Sequence, residues 1–454
     1  MTNVSCAGGV WKMSRTARVS MLVPSMALAL AGTLLLLCAP VRAEPAEALY
    51  GKPIREIRIS PLKHTKESVV RDALYSKVGD PYLEGNEAQD TTRLELLRIF
   101  SAGHFETSEV DGGVVLDVIL TETQPWIPLI SANLTDNDGF TLGPGVKAGN
   151  LFGRAISLSA AARFGKSTTL EVRSEMPWYP GSGAAYRFVG RYRDGYDDLR
   201  EFQEKSLHLE LVVGKQLLNY LGAGIRLGYL SLRSDTEGVT LSGDDWDRTP
   251  SLGLIIGYEK IDLKPNPHDG WHLEAEVRQN GGFLGGDGDW LTLLYDIRRY
   301  QPIRPRQTLQ LASYATFQFG DVGTTIPSYR TFFIGGTNSV RGWEFGSREG
   351  QHELLNTFEY RWDVWEPRDI TLFKKFAFYA GLQVALLADV GLTWNDGDRI
   401  DSDKVIGGIG AGIRILLPYI DVVRFDVAYG ERGASVSLHV GGYEKVKKQR
   451  DYIR

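Results

Sequence analysis

Cysteine is nearly absent: Cys6 and Cys38 are the only two, and both lie within the first 43 residues. A chain matured by removal of that stretch carries none, which excludes a disulfide framework and a thiolate zinc site and suits an oxidising compartment. Beyond residue 43 the sequence also lacks an apolar run long enough for a spanning helix, so any membrane insertion must use strands. An excess of positive charge is missing too. Lys and Arg number 51 against 56 Asp and Glu, a formal net charge of -5, which argues against a nucleic-acid partner. There is no G-x-S-x-G elbow, no H-E-x-x-H pair and no phosphate-binding loop, so no enzymatic motif is found and no cofactor is expected. His268 and His272 stand four apart, but Asp269-Gly270-Trp271 sets them across a turn into a strand rather than on one helical face, so a metal site is not expected.

What is present begins with a leader. Residues 1–43 read as a signal peptide: Lys12, Arg15 and Arg18 form a positive segment, Met21 to Cys38 is largely apolar, and Val41-Arg42-Ala43 is a small-residue cleavage site before Glu44. A retained anchor is the alternative, since the apolar run is near the minimum spanning length of about 17 residues. Leu37 is too large for a lipoprotein site at Cys38, and Met13 offers a second start.

The remaining chain divides in two. Residues 52–123 mix periods. Ile57 and Ile59 alternate with Arg58, as in a strand; Val69, Val70 and Leu74 fall at helical spacing within Lys66 to Ser76; a second helix carries Leu94, Leu97 and Phe100 on one face and stops at Gly103. Two strands follow, Phe105 to Val110 and Val114 to Leu120, joined by Asp111-Gly112-Gly113. The order β-α-α-β-β describes a small α+β domain.

From residue 126 to 443 strict alternation takes over. Leu207, Leu209, Leu211 and Val213 oppose His208 and Glu210; Leu273, Ala275 and Val277 oppose Glu274, Glu276 and Arg278. Phe358, Tyr360 and Trp362 oppose Glu359 and Arg361, and Val423, Phe425, Val427 and Tyr429 oppose Arg424 and Asp426. A soluble sandwich would turn the polar face to water and the apolar face to a core, whereas a membrane barrel turns them to lumen and lipid. The leader, strands of about ten residues and unequal loops favour the barrel. Long polar connections are expected at Asp194 to Glu204, Ser234 to Asp247 and Asn395 to Lys404, and a short turn at Lys215 to Asn219. The 51 glycines and 11% aromatics suit crowded lumen positions and interfacial girdles. The fold class is therefore mainly β: an antiparallel transmembrane β-barrel of about sixteen strands after one small α+β domain. Residues 444–454 form a basic tail with Lys445, Lys447, Lys448, Arg450 and Arg454.

The segment Phe333-Ile334-Gly335-Gly336-Thr337-Asn338-Ser339-Val340-Arg341-Gly342-Trp343 resembles the VRG(Y/F) signature of the outer membrane protein 85 superfamily, which holds the BamA, TamA and FhaC types. Asp389-Val390-Gly391 resembles the family's (F/G)xDxG motif, and Asp262 through Pro265, Pro267 and Gly270 its D…P..G turn. Val78-Gly79-Asp80-Pro81-Tyr82 and Gly103-His104-Phe105 resemble features of its POTRA domains, of which one would be present here. Leu387 and Trp343 depart from the commoner residues, and the chain does not finish on a terminal-strand aromatic.

The resemblance implies that the Val340, Arg341, Gly342, Trp343 loop folds into the lumen and that Arg341 meets Asp389, with Glu359 as a second acceptor. Gly335, Gly336 and Gly342 would let the loop turn sharply against the wall. It implies insertion or translocation of client polypeptides at a Gram-negative outer membrane, without metal or nucleotide. Partners would be the client, the lipid bilayer and, as a further candidate, a second copy of the chain. A seam between Ile127 to Asp136 and Ala434 to Val440, weakened by Asn133, Asp136, Asp138 and Gly441-Gly442, would admit a client strand. The alternatives are a porin-like passive channel and the membrane partner of a separate secreted hydrolase.

Overall fold

A computed structural model describes residues 49–441, apart from 98, 125, 136–138, 178–182, 219, 244–245, 263–265, 373–375, 418–420 and 431–432. The leader, the basic tail, Pro265, Gly442, and Asp136 and Asp138 at the seam lie outside the described residues; Asn133 is described by its backbone.

The N-terminal unit runs β1 (Ile54–Ile59), α1 (Glu67–Ala73), α2 (Asn86–Leu96), β2 (Phe100–Val110) and β3 (Gly113–Glu122). β3 is the middle strand, parallel to β1 and antiparallel to β2. Its Val114, Leu116 and Val118 share one core with Ile54 and Ile57 from β1, Val69, Val70 and Leu74 from α1 and its end, and Leu94 and Leu97 from α2 and its end. The helical and strand periods of the sequence thus converge on a single apolar layer. Each such side chain contributes about 1.5–3 kcal/mol when fully buried. One expectation fails. Phe100 and Gly103 lie in β2 rather than in the second helix, which ends before them. Gly103 is paired with Leu120, and a Cβ there would stand 2.9 Å from Leu120 Cδ2, so the glycine serves close cross-strand packing instead of a helix stop.

The barrel strands are β4 (Trp126–Thr135), β5 (Gly139–Leu151), β6 (Ile156–Arg163), β7 (Ser167–Met176), β8 (Ala185–Asp197), β9 (Phe202–Leu218), β10 (Leu221–Ser234), β11 (Trp246–Ile261), β12 (Gly270–Gly281), β13 (Asp289–Arg304) and β14 (Gln307–Phe319). A small hairpin, β15 (Phe332–Ile334) and β16 (Arg348–Gly350), then interrupts the meander. It resumes with β17 (His352–Leu372), β18 (Phe376–Trp394), β19 (Val405–Leu417), β20 (Asp421–Gly430) and β21 (Gly433–Gly441). Sixteen strands pair in one antiparallel sheet from β4 to β21.

Burial along these strands inverts that of a soluble protein. On β20, Phe425 and Val427 are 46% and 44% exposed while Arg424 and Asp426 are 5% and 3%. The same holds for Phe358 and Trp362 against Glu359 and Arg361 on β17, and for Val277 against Glu276 and Arg278 on β12. Only a sheet wrapped around a polar interior and bathed outside by lipid makes that pattern favourable, which separates the barrel from the sandwich. Inside, charges are paired. Glu171 accepts from Arg191 Nε at 3.0 Å and Arg173 Nε at 2.6 Å, and Glu276 from Arg226 Nε at 2.9 Å and Arg278 Nε at 2.6 Å.

The connections at 235–245 and 395–404 are long, as read from the sequence, and the far longer 320–351 leaves the same end of the barrel. The connection near Asp194 to Glu204 differs: β8 reaches Asp197 and β9 begins at Phe202, because Gly195–Glu204 and Asp197–Phe202 continue the ladder. Likewise β9 extends through Leu218, so Lys215 to Leu218 belong to the strand rather than to the turn read from the sequence.

Candidate functional site

Residues 320–351 leave β14 and return to β17, and the tip between β15 and β16 carries the Val340 to Trp343 motif. The tip turns on Gly335, Gly336 and Gly342, with φ of 108°, 84° and 92°. A Cβ on Gly335 would overlap the Glu344 carbonyl, so glycine is demanded by space as well as by φ. Ser339 Oγ donates to Gly335 O at 2.6 Å and accepts from Gly335 N at 2.9 Å, and Gly336 N donates to Trp343 O at 2.9 Å. These bonds tie the tip to itself across its own turn.

Arg341 then reaches the wall. Its Nε donates to Asp389 Oδ2 at 2.6 Å and its NH2 to Asp389 Oδ1 at 2.8 Å, a bidentate fork, and its backbone N also donates to Oδ2 at 3.1 Å. NH1 donates to Glu359 Oε1 at 2.9 Å and to Asp426 Oδ2 at 3.0 Å. Arg414 answers from the next strand, with NH2 3.2 Å from Glu359 Oε1 and NH1 on Asp426 Oδ1. Asp389, Glu359 and Asp426 lie on β18, β17 and β20 and face inward by the strand period, so the loop that joins them sits within the barrel. All five side chains are 5% exposed or less. In such a site a bidentate, charge-assisted pair is stronger than a neutral hydrogen bond, and it fixes orientation as well as distance.

The neighbours of Arg341 are placed as closely. Val340 is fully buried among Ile334, Leu355 and Ile406, and a Cβ on Gly391 would come 2.6 Å from Val340 Cγ2, which gives the glycine of Asp389-Val390-Gly391 a steric reason. Gly342 N donates to Ser435 Oγ at 3.0 Å, and Trp343 Nε1 to Gly407 O at 2.7 Å. Trp343→Phe keeps the ring and deletes that bond; the expected cost is about 1 kcal/mol of barrel stability, measured by urea unfolding in micelles.

The structure places Asp389, Glu359 and Asp426 around Arg341; the resemblance names the first two, and neither Asp426 nor Arg414 is reached from the sequence. The second inward segment is the turn between β11 and β12. Its Asn266 is buried, where its Oδ1 accepts from Gln383 Nε2 at 2.8 Å and Arg361 NH2 donates to Pro267 O at 2.5 Å. His268 N donates to Asp262 Oδ1 at 2.8 Å, so the aspartate of the D…P..G turn holds it from within. His268 meets Asp363 Oδ2 at 2.7 Å whereas His272 faces Glu259 at 3.6 Å, so the two histidines have separate partners.

Residues 150–435 match the Omp85 superfamily domain. The outer membrane protein assembly factor BamA of Neisseria meningitidis is 25% identical over 338 residues, 67% of this chain and 41% of that protein. BamA of Nitratidesulfovibrio vulgaris is 21% identical over 416 residues, 86% of this chain and 50% of that protein, so the chain spans half or less of these relatives. Among solved structures, BamA from Haemophilus ducreyi lacking POTRA domains 1-3 aligns with a TM-score of 0.57 at 14% identity, over 86% of this chain and 83% of that one. CdiB from Escherichia coli aligns with a TM-score of 0.57 at 12% identity, over 86% and 76%. The matched domain takes in β6 to β20 and with them Arg341 and all three of its carboxylates: the chain belongs to the Omp85 superfamily.

Proposed function

We propose that this chain inserts or translocates other polypeptides at the outer membrane, with the N-terminal unit as a single POTRA-like domain on the periplasmic side. The observation that carries the reading is the seam. The sheet starts at β21 and ends at β4, and among the described residues no backbone pair joins those two strands. Edges of this kind leave backbone N–H and C=O groups for an incoming strand, which binds by main-chain pairing and demands little of its sequence. β4 carries Pro128, which lacks a donor, and β21 begins and ends on glycine, so pairing of the two with each other is weak. The outer strands β1 and β2 of the N-terminal unit offer further edges on which a client can be received.

Within this reading the loop motif Val340, Arg341, Gly342 and Trp343 is a lock. Gly335 and Gly336 shape it, and Asp389 and Glu359, joined by Asp426, hold it in the lumen. The energy comes from folding of the client rather than from a nucleotide. Similarity to the two BamA assembly factors supports this assignment.

The test compares outer-membrane and secreted proteomes with the gene intact, deleted, or carrying Arg341→Ala. A defined set of barrels, or one secreted protein, is expected to fall in both mutants, which also names the client. Unchanged proteomes with altered permeability to small solutes would overturn the proposal in favour of a porin-like channel.

A further inference from the structure

We propose that Glu122 is a positioning residue that clamps the N-terminal unit onto the β5–β6 turn, so that the unit does not swing about its chain link to β4. Glu122 is the last residue of β3, a few residues before β4 begins. Its carboxylate gathers the loop between β1 and α1: Lys63 N donates at 2.7 Å, His64 N at 3.1 Å, Thr65 N at 2.6 Å and Thr65 Oγ1 at 2.5 Å. Three consecutive backbone N–H groups on one carboxylate fix the loop as a unit. The loop then presents Thr65 to the barrel, where Thr65 Oγ1 accepts from Asn150 Nδ2 at 2.7 Å. Beside it Lys66 N donates to Gly153 O at 3.0 Å, and Ala155, also from the turn, is buried in the core of the N-terminal unit.

The turn itself shows that this contact is specific. Asn150, Phe152 and Ala155 have φ of 79°, 57° and 57°, left-handed values that strain most residues with a Cβ and persist only where the surroundings fix them. Here the fixing groups are Asn150 Oδ1, which accepts from Ala155 N at 2.9 Å, and the Thr65 and Lys66 bonds from the N-terminal unit. Gly153 has φ of 68°, and a Cβ on it would lie 3.0 Å from Lys66 N and overlap the His64 carbonyl. Burial alone would raise the Glu122 carboxyl, but the Thr65 hydroxyl and the three backbone N–H groups outweigh it and hold the group below the usual carboxylate value. It therefore stays ionised at neutral pH, the form that can accept all four bonds. Units joined by a short link move relative to one another unless such an interface holds them. The unit is thus tied twice to the first barrel strands, by the chain into β4 and by Asn150 at the end of β5. The consequence that a client is handed over beside the seam rests on the function proposed above; the clamp itself does not.

The test uses the full chain in nanodiscs, with Cys6 and Cys38 changed to Ser if the leader is retained. Spin labels at Glu84→Cys in the N-terminal unit and Lys215→Cys on β9, both exposed, report the distance distribution by pulsed electron resonance. A narrow single peak is expected, broadened about twofold or more by Glu122→Gln and by Thr65→Val. Thr65→Val keeps side-chain shape and removes only the hydroxyl, which covers the case in which Glu122→Gln fails to fold, and Thr65→Ser is expected to stay narrow. A broad distribution in the parent, or one unchanged by both Glu122→Gln and Thr65→Val, would overturn the clamp. No client is present in the experiment, so an error in the proposed function leaves its result untouched.

Discussion

Arg341→Ala is expected to destabilise the folded barrel by about 3–5 kcal/mol, the range found when one partner of a buried ion pair is removed. The reason is the charge left behind. Arg341 and Arg414 stand among three buried carboxylates, Asp389, Glu359 and Asp426. Without Arg341, Asp389 loses both arms of its bidentate partner, and Glu359 and Asp426 each lose one hydrogen-bonded arginine while Arg414 stays in place. Arg341→Lys retains the charge but not the planar fork, so it should recover part of the stability and fail to restore the two-point contact. Pairing Arg341→Ala with Asp389→Asn removes the buried carboxylate that loses most in the first change, and the double variant should be less destabilised than the sum of the singles by about 0.5–3 kcal/mol. Urea unfolding in micelles, followed by tryptophan fluorescence, measures the four variants, Asp389→Asn alone included, against the parent. If Arg341→Ala unfolds at the parent's midpoint, or the singles add without coupling, Arg341 is a solvated loop arginine and the lock is gone.

How much of this could be read from the chain follows from the range of each interaction. The strands were legible because the period of a strand is a local property: the alternation of Phe425 and Val427 with Arg424 and Asp426 needs only the pleat. Direction was not local. The same alternation fits a sandwich, and exposure of the apolar face in the folded chain is what distinguishes the two. Around Arg341, the resemblance supplied Asp389 and Glu359, whereas Asp426 was already on the inward face by periodicity and still could not be assigned to Arg341. Which inward carboxylate stands opposite the loop depends on the register of β17 through β20, set by pairs such as Thr357–Asp389 and Gly412–Asp426. Arg414 was missed for the same reason. Gly103 misled because a glycine after a helical pattern commonly caps it, and here the demand came instead from Leu120 on the opposite strand. The contact of Thr65 with Asn150 spans 85 residues and has no local signal at all.

The neighbouring glycines Gly407 and Gly408 should respond unequally to an added side chain. On β19 the inward row is Ile406, Gly408, Gly410, Gly412 and Arg414, and three glycines in succession leave a trough in the wall. The backbone of the motif loop lies in it: a Cβ on Gly408 would overlap the Arg341 carbonyl oxygen, and one on Gly412 the Asp426 carboxylate. Gly430 on β20 closes the trough, since a Cβ there would meet Gly342 and, at 2.7 Å, Trp343 Cδ1. Gly407 points outward, where its nearest neighbour would be the Asp389 carbonyl at 3.6 Å, an ordinary contact. Gly407→Ala preserves the carbonyl that accepts from Trp343 and is expected to stay within about 0.5 kcal/mol of the parent. Gly408→Val must move the loop. Overpacking alone costs about 1–3 kcal/mol, and displacement of Arg341 adds the loss of its carboxylate bonds, so the total should approach that of Arg341→Ala. The two lesions act on one contact and cannot add, so Gly408→Val combined with Arg341→Ala should be little worse than either alone. Limited proteolysis of the folded barrel provides the second readout. The loop tip around Glu344 should become cleavable in Gly408→Val and stay protected in Gly407→Ala. Protection in both would mean that the wall can yield to a side chain there, and that the glycine row has no part in seating the loop.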